Sequence, residues 1–117
     1  NSERWDTDTI HDTVTNNTRL TASTAGKYII VGNAGFADNA TGNRLMRILL
    51  NNLTNIAEAD FSALGGAIRT IMTCSTILEL AATDYVELQV WQSSTANLNT
   101  YVEGNAVPEF MMQMIAT

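Results

Sequence analysis

Leu78-Glu79-Leu80-Ala81-Ala82-Thr83-Asp84-Tyr85-Val86-Glu87-Leu88-Gln89-Val90-Trp91 holds two runs in which apolar residues recur at every second position, hinged at Ala81-Ala82-Thr83-Asp84. A period of two is that of an extended chain with one face buried, because successive side chains of a strand point to opposite sides of the sheet. In the second run Val86, Leu88 and Val90 form the core face. Tyr85, Glu87, Gln89 and Trp91 form the other, where two aromatics alternate with two polar side chains. Large amphipathic aromatics of this kind are favoured at protein interfaces.

The same grammar extends outward. Residues 1–18 are polar and rich in Asp, Thr and Asn, without helical period, and read as an extended, loop-rich segment. Residues 19–21 form a short strand and 22–26 a turn. Over 27–36, Tyr28, Ile30, Gly32, Ala34 and Phe36 share one face, and Ile29, Val31 and Asn33 the other; both faces begin apolar. Residues 38–42 form a turn by composition. Residues 43–52 favour a helix on propensity, since Leu, Met and Arg are good helix formers. Gly42 and Asn51-Asn52 cut the stretch to about ten residues, which suits a strand among strands. Residues 56–66 read as a small-residue loop, 67–80 as a long strand, 93–100 as a polar loop and 101–102 as a short strand. The last strand spans 107–116, with Pro108 tolerated among its first residues. Strands separated by turn clusters indicate an all-β sandwich with no internal repeat or linker.

Composition sets further bounds. The 117 residues form one domain, 1–117, with a single core. An apolar fraction of 45% against 15% charged residues is low in charge for a solvated monomer and points to an oligomer. A net charge of -6 excludes the basic footprint that nucleic acid or an anionic membrane requires, and leaves cations or neutral sugars as the better partners. No apolar run approaches a membrane span, and no stretch of the given residues reads as a signal peptide. The chain begins with Asn1 rather than Met, so it is read as the C-terminal piece of a longer protein. Cys74 is alone, which excludes an intrachain disulfide; it reads as a small buried hydrophobe.

Several motifs then fall in a recognisable order. Asn17-Thr18-Arg19-Leu20-Thr21 precedes Ala25-Gly26. Gly26-Lys27-Tyr28-Ile29-Ile30 is similar to a Gly-x-Tyr-x-Phe strand, and Leu78 to Val90 is similar to Leu-x-Leu-x-x-Gly-Asp-x-Val-x-Leu-x-Val. In this order and spacing, from about residue 13 to the C-terminus, the chain resembles the trimeric jelly rolls of the complement C-one-q and tumour necrosis factor type. It departs from the pattern at Thr83, where Gly is usual. At the end, Glu109-Phe110-Met111-Met112-Gln113-Met114-Ile115 stands in place of a Phe-Ser-Gly-Phe strand. The Asp- and Thr-rich start and the Asn/Thr-rich turns are similar to versions of the fold carried by bacteriophage structural proteins. The resemblance implies a two-sheet jelly-roll sandwich of about ten strands, three copies around a threefold axis, and an interface on the outward face of the inner sheet.

The residues expected at that interface are Ile29, Val31, Tyr85, Gln89, Trp91, Met111, Gln113 and Ile115. In the last strand Phe110, Met112 and Met114 point one way while Met111, Gln113 and Ile115 point the other, so no side is water-loving, and a sheet apolar on both faces must be covered on both. A loop or the N-terminal segment could supply that cover within one chain.

Chemistry is sparse. Asp6, Asp8, His11 and Asp12 crowd a short stretch, with oxygen enough for Ca²⁺ but without the Gly and closing Glu of a calcium loop. A hydrogen-bonded loop is the competing reading, and no other cofactor is indicated. One His without a nucleophile motif does not make a hydrolase, and no phosphate loop appears, so the chain is read as non-enzymatic. Sequons at Asn16, Asn39 and Asn52 do not discriminate in a chain this rich in Asn and Thr.

The expected function is a trimerising structural and binding domain of a virion protein, such as a phage fibre, spike or capsid decoration. Polar loops would meet a host glycan or protein receptor through Asp38, Asn39, Thr41, Ser93, Ser94 and Asn97. The alternatives are a secreted ligand of the complement or necrosis factor class, and a small carbohydrate-binding module.

Overall fold

Eleven consecutive residues with Tyr28, Ile30, Ala34 and Phe36 on one face and Ile29 and Val31 between Lys27 and Asn33 on the other make the central strand. The computed structural model describes residues 3–104 and 108–117, and in it this strand, β2 (Gly26–Phe36), pairs antiparallel along its whole length with β5 (Thr70–Leu80) and over most of it with β7 (Glu109–Ala116). A second, four-stranded sheet has the order β1 (Arg19–Thr21), β6 (Tyr85–Gln92), β3 (Asn43–Leu50), β4 (Thr54–Ser62). Every pairing is antiparallel. Among the described residues there is no helix, and so none long and apolar enough to cross a membrane.

The core lies between the sheets. Tyr28 and Ile30 of β2 and Met72, Cys74 and Leu80 of β5 meet Met46 and Ile48 of β3 and Val86 of β6, all buried. Full burial of one such side chain contributes about 1.5–3 kcal/mol, which is why period two decides which face of each strand turns inward. Gly32 lets the sheets approach closely: a Cβ there would lie 2.5 Å from Leu88 Cδ1. The Tyr28 hydroxyl donates to Thr24 O at 2.6 Å, so the polar end of a buried ring is satisfied.

Two expectations of the sequence are corrected. Residues 56–66 are largely not loop, because β4 runs through Ser62. Ile56, Ala57 and Ala59 pack against the core, while Glu58 and Asp60 are exposed, so small size here reflects a tight edge strand. Residues 101–102 do not form a strand. Thr100 makes a single bridge to Phe36, and Tyr101 N donates to Gly35 O at 2.8 Å. The expected start of the last strand at Val107 lies outside the described residues. Seven strands are present among the described residues rather than about ten, since residues 3–18 spend their polar groups on local turns (below) rather than on a ladder. Over 43–50 the strand reading holds against helix propensity, because both edges of β3 find partners and its alternate residues reach the core.

The turns explain the sharp ends. Leu53 N donates to Leu50 O at 3.0 Å across Asn51 and Asn52, whose φ values of 52° and 56° give the doubly left-handed hairpin turn that Asn tolerates. Asn51 then clamps the neighbouring hinge: its Nδ2 donates to Asp84 Oδ1 at 2.9 Å and its Oδ1 accepts from Tyr85 N at 3.0 Å. In that hinge Asp84 Oδ2 accepts from Ala81 N at 2.9 Å, and Thr83 N donates to Ala22 O at 2.8 Å. Thr83 has φ 76°, a left-handed conformation costly for a β-branched residue, at the position where the related pattern carries Gly.

Thr83→Gly removes that strain while keeping the backbone donor, at the cost of a more flexible unfolded chain. The expected net effect is a stabilisation of about 0.5–1 kcal/mol, read as a rise in the denaturation midpoint at unchanged m-value.

Candidate functional site

The two loops expected to carry ligand contacts lie far apart in sequence and meet at one end of the sandwich. Gly42, at φ 76°, abuts Ser93 so closely that a Cβ would sit 2.3 Å from Ser93 O. Asn43 N donates to Ser93 Oγ at 2.9 Å and Ser93 N to Asn43 O at 3.1 Å. Ala37 N donates to Asn99 O at 3.0 Å, and Ala63 N to Gly42 O at 2.8 Å, which brings the β4–β5 connection to the same end.

Arg44 organises this end from beneath. Its position in β3 has the phase of Met46 and Ile48, so its side chain enters the interior and is 0% exposed. The guanidinium donates through Nη1 to Thr41 O and Asn43 O and through Nη2 to Asn39 O, each at 3.0 Å, and lies 5.9 Å from the centroid of the Phe36 ring. Among the described residues no carboxylate forms an ion pair with it, and its Nε has no hydrogen-bond partner. A buried cation satisfied by loop carbonyls fixes the path of those carbonyls, because leaving either side unpaired is expensive. Arg44 escaped the sequence reading, although the phase of Arg44, Met46 and Ile48 was the signal for it.

The six expected contact residues divide into those that face water and those that build the turn. Asp38, Thr41 and Asn97 are exposed. Asn39 is half-buried, and its Oδ1 accepts from Thr41 N at 2.9 Å. Ser93 spends its hydroxyl on Asn43 N. Ser94 is only 2% exposed: its N donates to Gln92 Oε1 at 2.7 Å and its Oγ to Ala96 O at 3.0 Å, so it shapes the loop and is not available to a ligand.

The eight expected interface residues separate onto two opposite surfaces. Ile29, Val31, Met111, Gln113 and Ile115 lie together on the outward face of the three-stranded sheet. The register aligns Ile77, Ile29 and Gln113 in one row and Ser75, Val31 and Met111 in the next. Ile71 and Ile77, 57% and 60% exposed, belong to this face and were missed by the sequence reading. Their phase with Thr73 and Ser75 in the 67–80 run was the available signal. Thr73 Oγ1 donates to Asn33 Oδ1 at 2.8 Å and satisfies part of the polar end of the face.

Tyr85, Gln89 and Trp91 belong to β6, hence to the other sheet and its opposite outer face. Arg19 covers Tyr85 with its Cζ 3.9 Å from the ring centroid and approaches Glu87 at 3.5 Å. Gln89 Oε1 accepts from Arg47 Nε at 3.2 Å and Nη2 at 2.9 Å. Trp91 is 56% exposed, across from Leu45. Val90, expected in the core, is 44% exposed, so the inward row of β6 effectively ends at Leu88.

The N-terminal carboxylates are not gathered around one point. Asp6 accepts from the backbone N–H groups of Asp8, Ile10 and His11 at 2.9–3.2 Å. Partial burial works against its ionised form, but these three donors outweigh it and hold its carboxyl below the usual value. Asp12 is likewise lowered, first by the Thr15 hydroxyl and then by the Val14 and Thr15 N–H groups. The His11 ring lies between the Glu3 carboxylate and Asn17 O, each at 3.1 Å. Among the described residues no three His, Cys, Asp or Glu side chains converge as a metal-binding group, and the Asp8 side chain makes no hydrogen bond to its neighbours in this stretch.

Comparison with protein-family models and with curated proteins returns no match to this chain.

Arg44→Met keeps most of the buried volume and leaves the Asn39 and Thr41 carbonyls without the guanidinium, while Asn43 O keeps Ser93 N. A destabilisation of about 3 kcal/mol is expected, given about 1–3 kcal/mol for each unsatisfied buried group and partial rescue by water. Amide exchange should quicken first at Ala37, Asn43 and Ala63, whose bonds hold the loop end together.

Proposed function

We propose that this chain is a non-enzymatic, trimerising structural and binding domain of a virion protein such as a fibre, spike or capsid decoration. Three copies pack through the outward face of the β5–β2–β7 sheet, and the loop end built on Arg44 is presented to a host receptor or glycan. The observation that carries this reading is the chemistry of that face. From Ile71 to Ile77 on β5, Ile29 to Asn33 on β2 and Phe110 to Ile115 on β7 there is no charged side chain, in a chain of net charge -6. Lys27, Glu79 and Glu109 stand at the ends of that face, and an uncharged, largely apolar middle in an acidic protein is suited to meeting copies of itself, because identical charges near a symmetry axis would repel.

The strand order supports the jelly-roll reading. The chain changes sheet between β1 and β2, β2 and β3, β4 and β5, β5 and β6, and β6 and β7, and only β3 and β4 form a hairpin. Repeated crossing between two antiparallel sheets is the wiring of that architecture. The left-handed Thr83 at the usual Gly position fits the same family pattern. Placement in a virion rests on the resemblance of the N-terminal segment and turns to phage versions of the fold.

Light scattering after size exclusion is expected to give the mass of three chains at micromolar concentration. Ile77→Asp sets three carboxylates into the apolar face and is expected to lower the mass to that of one chain, with the β-type circular dichroism retained. A wild-type mass of one chain overturns the reading.

Trp91 favours a second reading, a carbohydrate-binding module. Its exposed ring stands on the outer face of the four-stranded sheet beside the Arg47–Gln89 pair, and an aromatic ring flanked by hydrogen-bonding groups suits a neutral sugar. In that case Trp91→Ala is expected to lower affinity for a neutral oligosaccharide at least tenfold in titration calorimetry without changing the assembly mass.

A further inference from the structure

Of the four strands that end the two sheets, β5 is the least guarded. Its eleven residues pair with β2 on one side, and among the described residues no strand and no loop backbone bonds to its other side. Unpaired strand edges are ordinarily blunted by shortness, proline or charge. β1 has three residues, β4 carries Glu58 and Asp60, and β7 follows Pro108 and opens on the Arg4–Glu109 pair. From Thr70 to Leu78, β5 has none of these devices.

The order of side chains on its outward face decides what fits that edge. With Arg69 in phase one position before the strand, the face reads Arg69, Ile71, Thr73, Ser75, Ile77, Glu79, all exposed. Turned about Cys74, this series is its own complement. In an antiparallel pair with a second copy, Arg69 stands opposite Glu79, Ile71 opposite Ile77 and Thr73 opposite Ser75, each pair occurring twice. Opposite charges, β-branched apolar pairs and Thr–Ser hydroxyl pairs are cross-strand neighbours that stabilise antiparallel sheets. Sliding by two residues sets Ile71 against Ser75 or Thr73 against Ile77 and parts Arg69 from Glu79, so the series selects one register. Sliding by one sets inward side chains against outward ones. The charges are free to pair in this way. Glu79 lies beside Lys27 but forms no ion pair among the described residues. Arg69 has the half-exposed Glu103 contact at 3.5 Å and the Tyr101 ring at 4.3 Å, and an exposed ion pair of this kind is weak.

We infer that the free edge of β5 joins two copies of this chain about a twofold axis beside Cys74, so that two three-stranded sheets continue as one sheet of six strands. The joint uses the backbone edge of the sheet, not its outward face, and does not rest on the trimer reading. One strand edge from each copy buries less than a standard interface, so the joint forms above the micromolar range.

Sedimentation of the full chain from micromolar to millimolar concentration is expected to take the wild-type mass to twice its micromolar value. Arg69→Glu and Glu79→Arg each set like charges opposite one another at both ends of the joint. Each alone is expected to hold the mass at its micromolar value, and the two together to restore the doubling. Both positions are exposed, and circular dichroism and the melting temperature check that the variants fold. A wild-type mass that does not double, a single variant that doubles as wild type does, or a double variant that fails to recover overturns the joint. The micromolar mass, three chains or another number, decides only the trimer reading.

Discussion

Everything in this molecule is arranged around the requirement that β2 be covered on all sides. Its edges are closed by β5 and β7, its inner face carries Tyr28, Ile30, Ala34 and Phe36 into the core, and its outer face carries Ile29 and Val31. A strand apolar on both faces belongs at the centre of a layered structure. The inner requirement is met within the chain by the four-stranded sheet, where Leu88 fits against Gly32. The outer requirement is met only in part within the chain: Ile29 and Val31 are half-buried, while Ile71 and Ile77 beside them remain more than half exposed. That imbalance links the local pattern of eleven residues to the assembly proposed for the whole.

Arg44 solves a different problem at one end of the same core. The loops at 37–43 and 93–99 bring backbone carbonyls to the rim of an apolar interior, where an unpaired carbonyl is costly. A guanidinium is well matched to them, because its planar fork offers several donors in fixed directions, which an ammonium group does not. Desolvating the cation is the cost, and the carbonyls of Asn39, Thr41 and Asn43 offset it. The result is a loop end in which the carbonyls of residues 39–43, beside exposed Asp38 and Thr41, are held by one buried cation. A surface set in advance loses less entropy on binding than a mobile loop would.

Alternation made much of this legible in the sequence. The faces of 27–36 and the two runs joined at Thr83, as far as Leu88, are as the period of two requires, because burial of every second residue leaves a direct trace in composition; Val90, at the end of the second run, is exposed instead. The trace is weaker where size rather than polarity does the work. At β4, alanines 57 and 59 satisfy the core without announcing it, and the stretch reads as a loop. Which sheet a strand joins is written in no single stretch. Tyr85, Gln89 and Trp91 have the alternation of an interface strand, but β6 pairs with β3 and β1, and this pairing turns them to the far side of the sandwich from Ile29 and Val31. The N-terminal carboxylates carry two readings for a related reason. Clustering in sequence suits both a cation site and a set of turns, and Asp6 and Asp12 accept from backbone N–H groups of residues 8 to 15.

The distribution of charge carries the argument one step further. Acidic groups are spread over the N-terminal segment, the outer edge of β4 and the turns, at Asp6, Asp12, Glu58, Asp60 and Asp84, and the outer face of the three-stranded sheet carries Glu79 at one end and Glu109 at the other, leaving its middle uncharged. Those two carboxylates are set against cations, Glu109 with Arg4 at 2.7 Å and Glu79 with Lys27 as its cross-strand neighbour. The low charged fraction and the negative net charge, which seem to pull in opposite directions when read as composition, are then two parts of one arrangement: an uncharged middle to the outer face of the sheet, with charges at its ends and over the loops.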